Sequence, residues 1–511
     1  MKNKLLIAAI GAFLFIICAP VYSQDFSEEI LIEGDSHDEN SIFVINSFSF
    51  VINGYTRRYA LINKAELIEG EEINGFTNLE KYIQNKTQIL YNERVLDSVR
   101  IEYSISPARE DGKYPVNLFI YVKDTWNIVA IPRPQLDSNT GFDITIKARD
   151  YNFLGTMSAL RVDLGYRHDE KGRDFFEFMF DSDIPVRIFN LNWYINFDHD
   201  VSYRPDMEQN WFYCNATGLS VDIPFGFTTP NIGFDIYFIV NEDNSDMDRE
   251  LYELGESQEG LYISTRPYIS WKIPITKIGD YGELAYTPRI SAIFNHEVSP
   301  WTLSINRKGP FLGFSHALGF GRINWIDNFQ QGFTANVYNS FNYDFFKYRN
   351  DEYPLSTRLE AKGAAHFKFF NFLGLSTRLM YRQWFNTYTE SAGDVLRGII
   401  DKDITTDLMV SLNMDLIFKV LRFKPSQWFN WNTRLFDFDL HIGPIVDLAY
   451  SNTISELSEL DKNIFITGGF EVIIYPIFFR SLYLRISTAW DFSDISKRTP
   501  MELFIGTTLH F

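Results

Sequence analysis

Apolar and polar residues alternate along most of this chain, from about residue 141 to the last residue. In one clear stretch, large apolar side chains take every second position, and charged or small residues lie between them. The first set is Leu160, Val162, Leu164 and Tyr166, and the second is Arg161, Asp163, Gly165 and Arg167. Successive residues of a β-strand point to opposite faces, so a period of two is typical of a strand. We therefore expect residues 141–511 to form antiparallel strands joined by polar turns.

The alternation alone does not show which face of these strands is buried. A soluble barrel has its apolar face inside, whereas a membrane barrel turns that face to lipid. Charged residues recur on the second face of strand after strand, and the chain has 511 residues. Together with the N-terminal segment described next, these observations favour an apolar outside. We predict a mostly β protein with an antiparallel transmembrane β-barrel of about 16 strands.

The N-terminus predicts export. Residues 1–23 carry Lys2 and Lys4, then the apolar run Leu5–Ile17, and then small residues that suit cleavage. This is the pattern of a secretory signal peptide. Cys18 would be the modified residue of a lipoprotein, but the preceding residues lack the small side chain that such a site needs. No internal run reaches the ~20 apolar residues of a membrane helix.

Three regions separate the signal peptide from the predicted barrel. Residues 24–41 are acidic and predict a linker, and residues 42–125 predict a small α+β domain. Its expected elements are a strand at Ile42–Ile52, helices at Tyr55–Ile68 and Thr77–Tyr91, and strands at Val99–Ile105 and Val116–Val122. Thr77 would cap the second helix, with Glu80 three residues later. Residues 126–140 contain Pro132 and Pro134 and predict a stiff connector.

Net charge, cysteine content and the motifs of the sequence argue against several classes of function. The net charge is −19 and the pI is about 4.9, whereas nucleic-acid binding needs a basic surface. Cys18 and Cys214 are the only cysteines in the sequence, so one mature chain offers no disulfide or zinc site. We expect no metal and no cofactor. The motifs of zinc hydrolases, nucleophile elbows and dinucleotide-binding folds are absent from the sequence, and we do not expect an enzyme.

One loop stands out because it contains Arg-Gly between two alternating stretches. It is the segment Asp394–Asp401, after a strand that ends near Thr389 and before one that begins near Asp407. Gly398 allows a positive φ, and the fork of Arg397 can hold a carboxylate. Asp447 falls on the polar, inward face of a later strand. If the loop folds back into the barrel, Arg397 could meet Asp447 there.

These residues resemble two motifs of one family. Leu396-Arg397-Gly398-Ile399 is similar to the Val-Arg-Gly-Phe/Tyr motif of the BamA/TamA-type outer-membrane assembly and translocation superfamily. Ile445-Val446-Asp447-Leu448-Ala449 resembles the Phe-x-Asp-x-Gly strand motif of that family, with Ile399 in place of an aromatic residue and Ala449 in place of a glycine. The resemblance implies that Arg397, Gly398 and Asp447 form a loop lock.

Three further stretches fit the same resemblance. Asn152-Phe153-Leu154-Gly155 resembles the turn of the first barrel hairpin in the family, which singles out Asn152, Leu154 and Gly155. The C-terminus resembles the terminal signal of outer-membrane barrels, with Gly506, Leu509 and Phe511 as its candidate residues. The order of elements in residues 42–125 is similar to a POTRA domain. Five strands are expected after the Arg397 loop, as in the family.

The resemblance implies a protein of the bacterial outer membrane, with its N-terminal domain in the periplasm. Its function would be to assist insertion, assembly or translocation of other proteins, at a weak border between its first strand, near Phe142–Arg149, and its last. The expected partners are outer-membrane lipids and unfolded outer-membrane or secreted proteins, and periplasmic accessory proteins are open. The alternative is a passive channel, a lipid-handling barrel or a surface antigen of the same architecture without assembly activity.

Overall fold

The computed structural model describes thirteen ranges of the chain. These are residues 40–137, 141–168, 174–205, 210–225, 228–241, 260–278, 282–303, 307–389, 392–399, 404–429, 434–457, 462–493 and 501–506. The predicted signal peptide, and the predicted linker apart from its last two residues, lie outside the described residues.

The first described unit is a small α+β domain, called the N-terminal domain below (residues 42–125). Its elements are β1 Ile42–Asn53, α1 Arg58–Ala65, β2 Glu72–Asn74, α2 Phe76–Asn92, β3 Leu96–Ile105 and β4 Lys113–Asp124. The sheet has the order β2-β1-β4-β3, in which β1 and β4 run parallel. Apolar residues of β1, β4 and both helices form one buried core, with Leu61, Leu79 and Leu118 fully buried.

The expected elements of this domain are present, with two differences. Strand β2 was not predicted, because three residues carry too short a pattern to show a period. Helix α2 begins at Phe76 with Gly75 as its N-cap, so the prediction that Thr77 caps the helix was wrong. Gly75 has a φ of 87°, which turns the chain from β2 into the helix.

Eighteen strands, β5 to β22, close into one antiparallel barrel in chain order. Its strands are β5 Ile128–Asp137, β6 Gly141–Asp150, β7 Leu160–His168, β8 Asp174–Ile188, β9 Leu191–Tyr203, β10 Trp211–Asp222, β11 Thr229–Val240, β12 Leu261–Lys277, β13 Glu283–Glu297, β14 Phe311–Ile326, β15 Phe329–Asp344, β16 Leu355–Phe370, β17 Leu373–Phe385, β18 Thr406–Phe423, β19 Phe438–Thr453, β20 Ile464–Pro476, β21 Leu484–Asp491 and β22 Glu502–Gly506. Two short helices, α3 Phe345–Arg349 and α4 Pro425–Trp428, lie between strands. The predicted fold class is confirmed, with 18 strands where about 16 were expected.

Part of the difference in strand number comes from the predicted connector at residues 126–140. Most of it is strand β5, which pairs with β6 from Ile128 to Asp137 in unbroken register. Pro132 and Pro134 favoured a connector because proline cannot donate to a strand ladder. The first barrel strand is therefore β5 and not residues 142–149, and the closing border, called the seam below, lies between β22 and β5.

The barrel turns its apolar face outward, as predicted. Along the wall, large apolar side chains such as Leu164, Phe178 and Phe470 are exposed by 50%, 38% and 61%. The residues between them point to the lumen, where Asp447 is 1% exposed. An exposed apolar belt of this kind suits contact with lipid chains. None of the helices within the described ranges is long and apolar enough to cross a membrane.

Candidate functional site: a loop lock inside the barrel

The loop between β17 and β18, called the inner loop below (described residues 386–389, 392–399 and 404–405), enters the barrel lumen. Its base is closed by an isolated bridge in which Thr389 and Thr406 exchange backbone hydrogen bonds of 3.0 and 2.9 Å. A 3-10 turn at Ala392–Val395 then reverses the chain, and Leu396 N–H donates to the Gly393 carbonyl at 2.9 Å. This turn brings Arg397 and Gly398 against the inner wall.

Arg397 binds two carboxylates on neighbouring strands. Its Nε and Nη2 donate to the two oxygens of Asp447 at 3.0 and 2.5 Å, and its backbone N–H also donates to Asp447 at 2.8 Å. Its Nη1 donates to Asp415 on β18 at 2.5 Å. The structure therefore brings together Arg397 and Asp447 as the sequence predicted, and it adds a third member, Asp415.

All three groups are almost completely removed from solvent. Arg397, Asp447 and Asp415 are 5%, 1% and 4% exposed. A buried charge without a partner is very unfavourable, so the two carboxylates and the guanidinium depend on one another. In this cluster one cation binds two anions. A second positive charge lies nearby, because Arg378 on β17 donates two hydrogen bonds of 3.2 Å to Asn413.

Asn413 connects the lock to the loop backbone. It lies opposite Asp447 in the β18–β19 register, and its Nδ2 donates to the Val395 carbonyl at 2.7 Å. Asn413 is fully buried. The wall thus holds both the side chain of Arg397 and the peptide two residues before it.

Gly398 is required by its surroundings. Its φ is 87°, and a Cβ built on it would lie 2.9 Å from backbone atoms of Trp490 on β21. Any larger residue would push the loop off the wall. The Gly398 N–H donates to the carboxylate of Glu502, the first residue of β22.

A small apolar cluster fixes the rest of the inner loop. It combines loop residues with wall residues of β17 to β20 and contains Met380, Ala392, Val395, Leu396, Ile399, Ile404, Met409, Ala449 and Phe465. Ile399 and Ala449, which depart from the family motifs, both belong to it and are 2% and 8% exposed. The departures therefore leave the loop well packed in this chain.

The turn predicted for the first barrel hairpin lies between β6 and β7 and contacts the N-terminal domain. Because β5 and β6 form the first hairpin, it is the turn of the second. Asn152 Nδ2 donates to Thr56 Oγ1 at 2.8 Å and to Asp124 at 3.2 Å. The Gly155 carbonyl accepts from Arg57 N–H at 2.8 Å. A Cβ on Gly155 would lie 2.1 Å from the Tyr55 carbonyl oxygen. Asn152 and Gly155 thus join the domain to the barrel.

Leu154 has a different position in the same turn. It has a φ of 55°, and its side chain is 52% exposed instead of being buried against the N-terminal domain. Of the predicted C-terminal signal, Gly506 is the last described residue of β22 and is buried. Leu509 and Phe511 lie outside the described residues.

One arginine of the N-terminal domain contacts the barrel, and one arginine of the barrel contacts the domain. Arg94, after α2, stacks on Trp325 with its Cζ 4.2 Å from the ring centre, and it donates to the Arg480 carbonyl. Arg480, between β20 and β21, stacks on Tyr91 at 4.0 Å and donates to the Leu96 carbonyl at 2.8 Å. Burial lowers the pKa of Arg94 to about 10, which leaves it charged at neutral pH.

Sequence reasoning missed Asp415, Asn413 and Glu502. Asp415 and Asn413 share the inward face of β18, so their alternation with apolar residues was a usable signal. The choice among the polar positions of that face depends on how β18 and β19 pair. Glu502 gave no signal, because its partner is a backbone N–H 104 residues away in sequence.

No family model matches the sequence, and no curated protein matches it either. Among solved structures, the chain is similar to CdiB from Acinetobacter baumannii, at 11% identity over 91% of this chain and 73% of that chain, with a TM-score of 0.47. It is similar to BamA from Haemophilus ducreyi lacking POTRA domains 1-3, at 11% identity over 91% and 83%, with a TM-score of 0.38. CdiB from Escherichia coli gives 9% identity over 93% and 92%, with a TM-score of 0.40.

Proposed function

We propose that this chain is an outer-membrane barrel that assists the insertion, assembly or translocation of other proteins. The observation that carries the proposal is the inner loop, whose Arg397 is buried between Asp447 and Asp415. A barrel that only filled the membrane would have no need for a buried charge cluster, because an apolar contact of the same size is at least as stable. A cluster of this kind is suited to holding one defined arrangement of the loop.

The seam offers a place where a client strand could pair. Tyr151 N–H donates to the Asn127 carbonyl at 3.0 Å, so the residue just before β5 and the residue just after β6 form a hydrogen-bonded pair that continues their register. Such pairs alternate along antiparallel strands, so Pro132 and Pro134 occupy the positions whose backbone nitrogens face away from β6. Their missing donors therefore fall on the side of β22, where they weaken the closing border.

The inner loop fills part of the lumen and the N-terminal domain lies at one mouth, which favours assembly over a permanently open pore. At that mouth, the N-terminal domain contacts three hairpins that are spaced six strands apart around the ring, namely β8–β9, β14–β15 and β20–β21. The contacts include Tyr59 to Pro185 at 3.1 Å, Asn92 to Trp325 at 3.0 Å and Thr125 to Phe478 at 2.7 Å. The domain thus lies across the mouth.

Reconstitution into liposomes tests the proposal. The rate at which an unfolded barrel protein inserts is measured with wild type, Arg397→Ala and Arg161→Ala. Arg161 is a matched control, because it pairs with Asp181 inside the barrel at 2.6 Å but lies away from the inner loop. We expect wild type and Arg161→Ala to accelerate insertion, and Arg397→Ala to lose most of the acceleration.

The opposite result is equally clear. If no chain accelerates insertion and the vesicles leak ions or small solutes steadily, the protein is a channel of the same architecture. If Arg397→Ala accelerates insertion as well as wild type, the loop lock has no part in the activity.

A further inference from the structure

The tip of the inner loop contacts four of the last five strands through two residues. Arg397 binds Asp415 on β18 and Asp447 on β19. Gly398 lies against the Trp490 backbone on β21 and donates its N–H to Glu502 on β22. The last of these strands forms one side of the seam. The loop tip therefore connects the charge cluster of the wall to the strand at the border.

The contact with Glu502 is direct and specific. The Gly398 N–H comes from the residue next to Arg397, so neither contact can change without moving the other. A peptide N–H that donates to a carboxylate forms a charge-assisted hydrogen bond, one of the stronger kinds in proteins. Gly398 also has no side chain that could keep the loop at a distance from β21 and β22.

Strand β22 lies between β21 and β5 in the barrel. Its described pairing with β21 covers Arg485 to Ala489. Its other neighbour is β5, whose backbone lacks donors toward it at Pro132 and Pro134. The contact of Glu502 with the loop tip is therefore an attachment of the start of β22 from inside the barrel, in addition to its pairing with β21.

We propose that Glu502 is a positioning residue that couples the inner loop to the seam. While Arg397 is bound to the wall, Gly398 holds Glu502 and keeps β22 in the barrel. Release of the loop frees β22, and separation of β22 from the seam releases the loop. Coupling between two sites is reciprocal, so each change must affect the other by the same factor. The inference deepens the proposed function but does not depend on a client being present.

Hydrogen–deuterium exchange of the full chain in lipid nanodiscs tests the coupling. The peptides followed are the loop tip, residues 392–399, and the last strand, residues 501–506. The variants are Glu502→Ala, Glu502→Gln, Arg397→Ala and Glu177→Ala. Glu177 is the matched control, because it also accepts from an arginine on a neighbouring strand, Arg167 at 2.9 Å, but is remote from the loop.

We expect Glu502→Ala to speed exchange in the loop tip, and Arg397→Ala, which removes the contacts to Asp415 and Asp447, to speed exchange in β22 as well. Each increase should be roughly tenfold, the effect of losing one hydrogen bond to a charged group. Glu502→Gln keeps an acceptor oxygen and should stay closer to wild type. Glu177→Ala should leave both peptides unchanged.

The inference is wrong if Glu502→Ala speeds exchange only in β22, or if Arg397→Ala speeds it only in the loop. Heat-modifiable gel mobility shows whether each variant still forms the barrel. If Glu502→Ala does not fold, Gly398→Ala supplies the test, since its Cβ would collide with Trp490 and move the same contact. Failure of the liposome assay with coupled exchange intact would reject the assembly function and leave the coupling in place.

Discussion

At the scale of single residues, Arg397 matters because it is one cation between two buried anions. Asp447 holds it through two side-chain hydrogen bonds and one backbone bond, whereas Asp415 accepts one. Removal of the arginine leaves two buried carboxylates with no directly bonded cation, whereas removal of one carboxylate leaves the arginine paired with the other. Substitutions of Arg397, Asp447 and Asp415 should therefore lower the stability of the barrel by different amounts.

We expect Arg397→Met to destabilise the barrel most, by about 3–5 kcal/mol, the usual range for breaking a buried ion pair from one side. Asp447→Asn should cost less and Asp415→Asn least. The temperature at which the folded band disappears on semi-native gels measures this order. An Asp415→Asn variant as unstable as Arg397→Met would contradict the assigned geometry.

Charge exchange gives a second residue-scale prediction. In Arg397→Asp with Asp447→Arg, the new carboxylate at position 397 would lie beside Asp415, and like charges repel. We therefore expect this double variant to recover only part of the lost stability. Adding Asp415→Asn should restore more, measured by the same gels. Equal stability of the double and triple variants would show that Asp415 does not interact with position 397.

At the scale of elements, β5 shows how a strand can be hidden by its own sequence. Alternate prolines predict a connector, yet they fit a strand whose donors on one side are not needed. The position of the missing donors follows from the pairing of Asn127 with Tyr151. The prolines that concealed the strand are thus also the reason that β5 lacks two backbone donors on its side facing β22.

Restoring these donors should strengthen the seam. We expect Pro132→Thr with Pro134→Thr to raise barrel stability by about 0.5–1.5 kcal/mol for each hydrogen bond that forms. If a client pairs at the seam, the same variant should slow client insertion. Pro288→Thr in β13, far from the seam, is the control. Faster insertion by the double variant would place the client elsewhere.

At the scale of the whole molecule, the N-terminal domain and the barrel form one connected structure. The β6–β7 turn supplies Met157, which is 4% exposed, to the core of the N-terminal domain. Three other hairpins contact α1, α2 and the end of β4 around the mouth. Passage of ions or solutes through the lumen would require the domain to move. The contacts that Arg94 and Arg480 make between the domain and the barrel oppose that movement.

We expect Arg94→Ala with Arg480→Ala to release the domain, because both stacked guanidinium groups and their backbone bonds are lost. In planar bilayers, channel openings should become more frequent than in wild type by roughly 30-fold or more, since a cation stacked in a desolvated site contributes ~2 kcal/mol or more and each 1.4 kcal/mol is about a factor of ten. Arg100→Ala is the control, as Arg100 stacks on Tyr121 within the domain and is half-exposed. Unchanged conductance would mean that the inner loop alone closes the lumen.

The sequence by itself determined the features that depend on local periodicity. Alternation predicted strands and the inward direction of Asp447, and the five strands after the inner loop are present. The order of elements in the N-terminal domain followed from the same kind of pattern, because each element carries its own period. The sequence also pointed to Arg397 and Gly398, whose chemistry is unusual in a loop.

Only the tertiary structure decided which distant groups meet. The closure of 18 strands made β5 a wall strand, and the pairing of β18 with β19 placed Asp415 beside Arg397. The contact of Gly398 with Glu502 and the stacking of Arg94 on Trp325 join residues that are far apart in the chain. Such contacts leave no periodic trace in the sequence, because they depend on strand number, register and the position of the domain across the mouth.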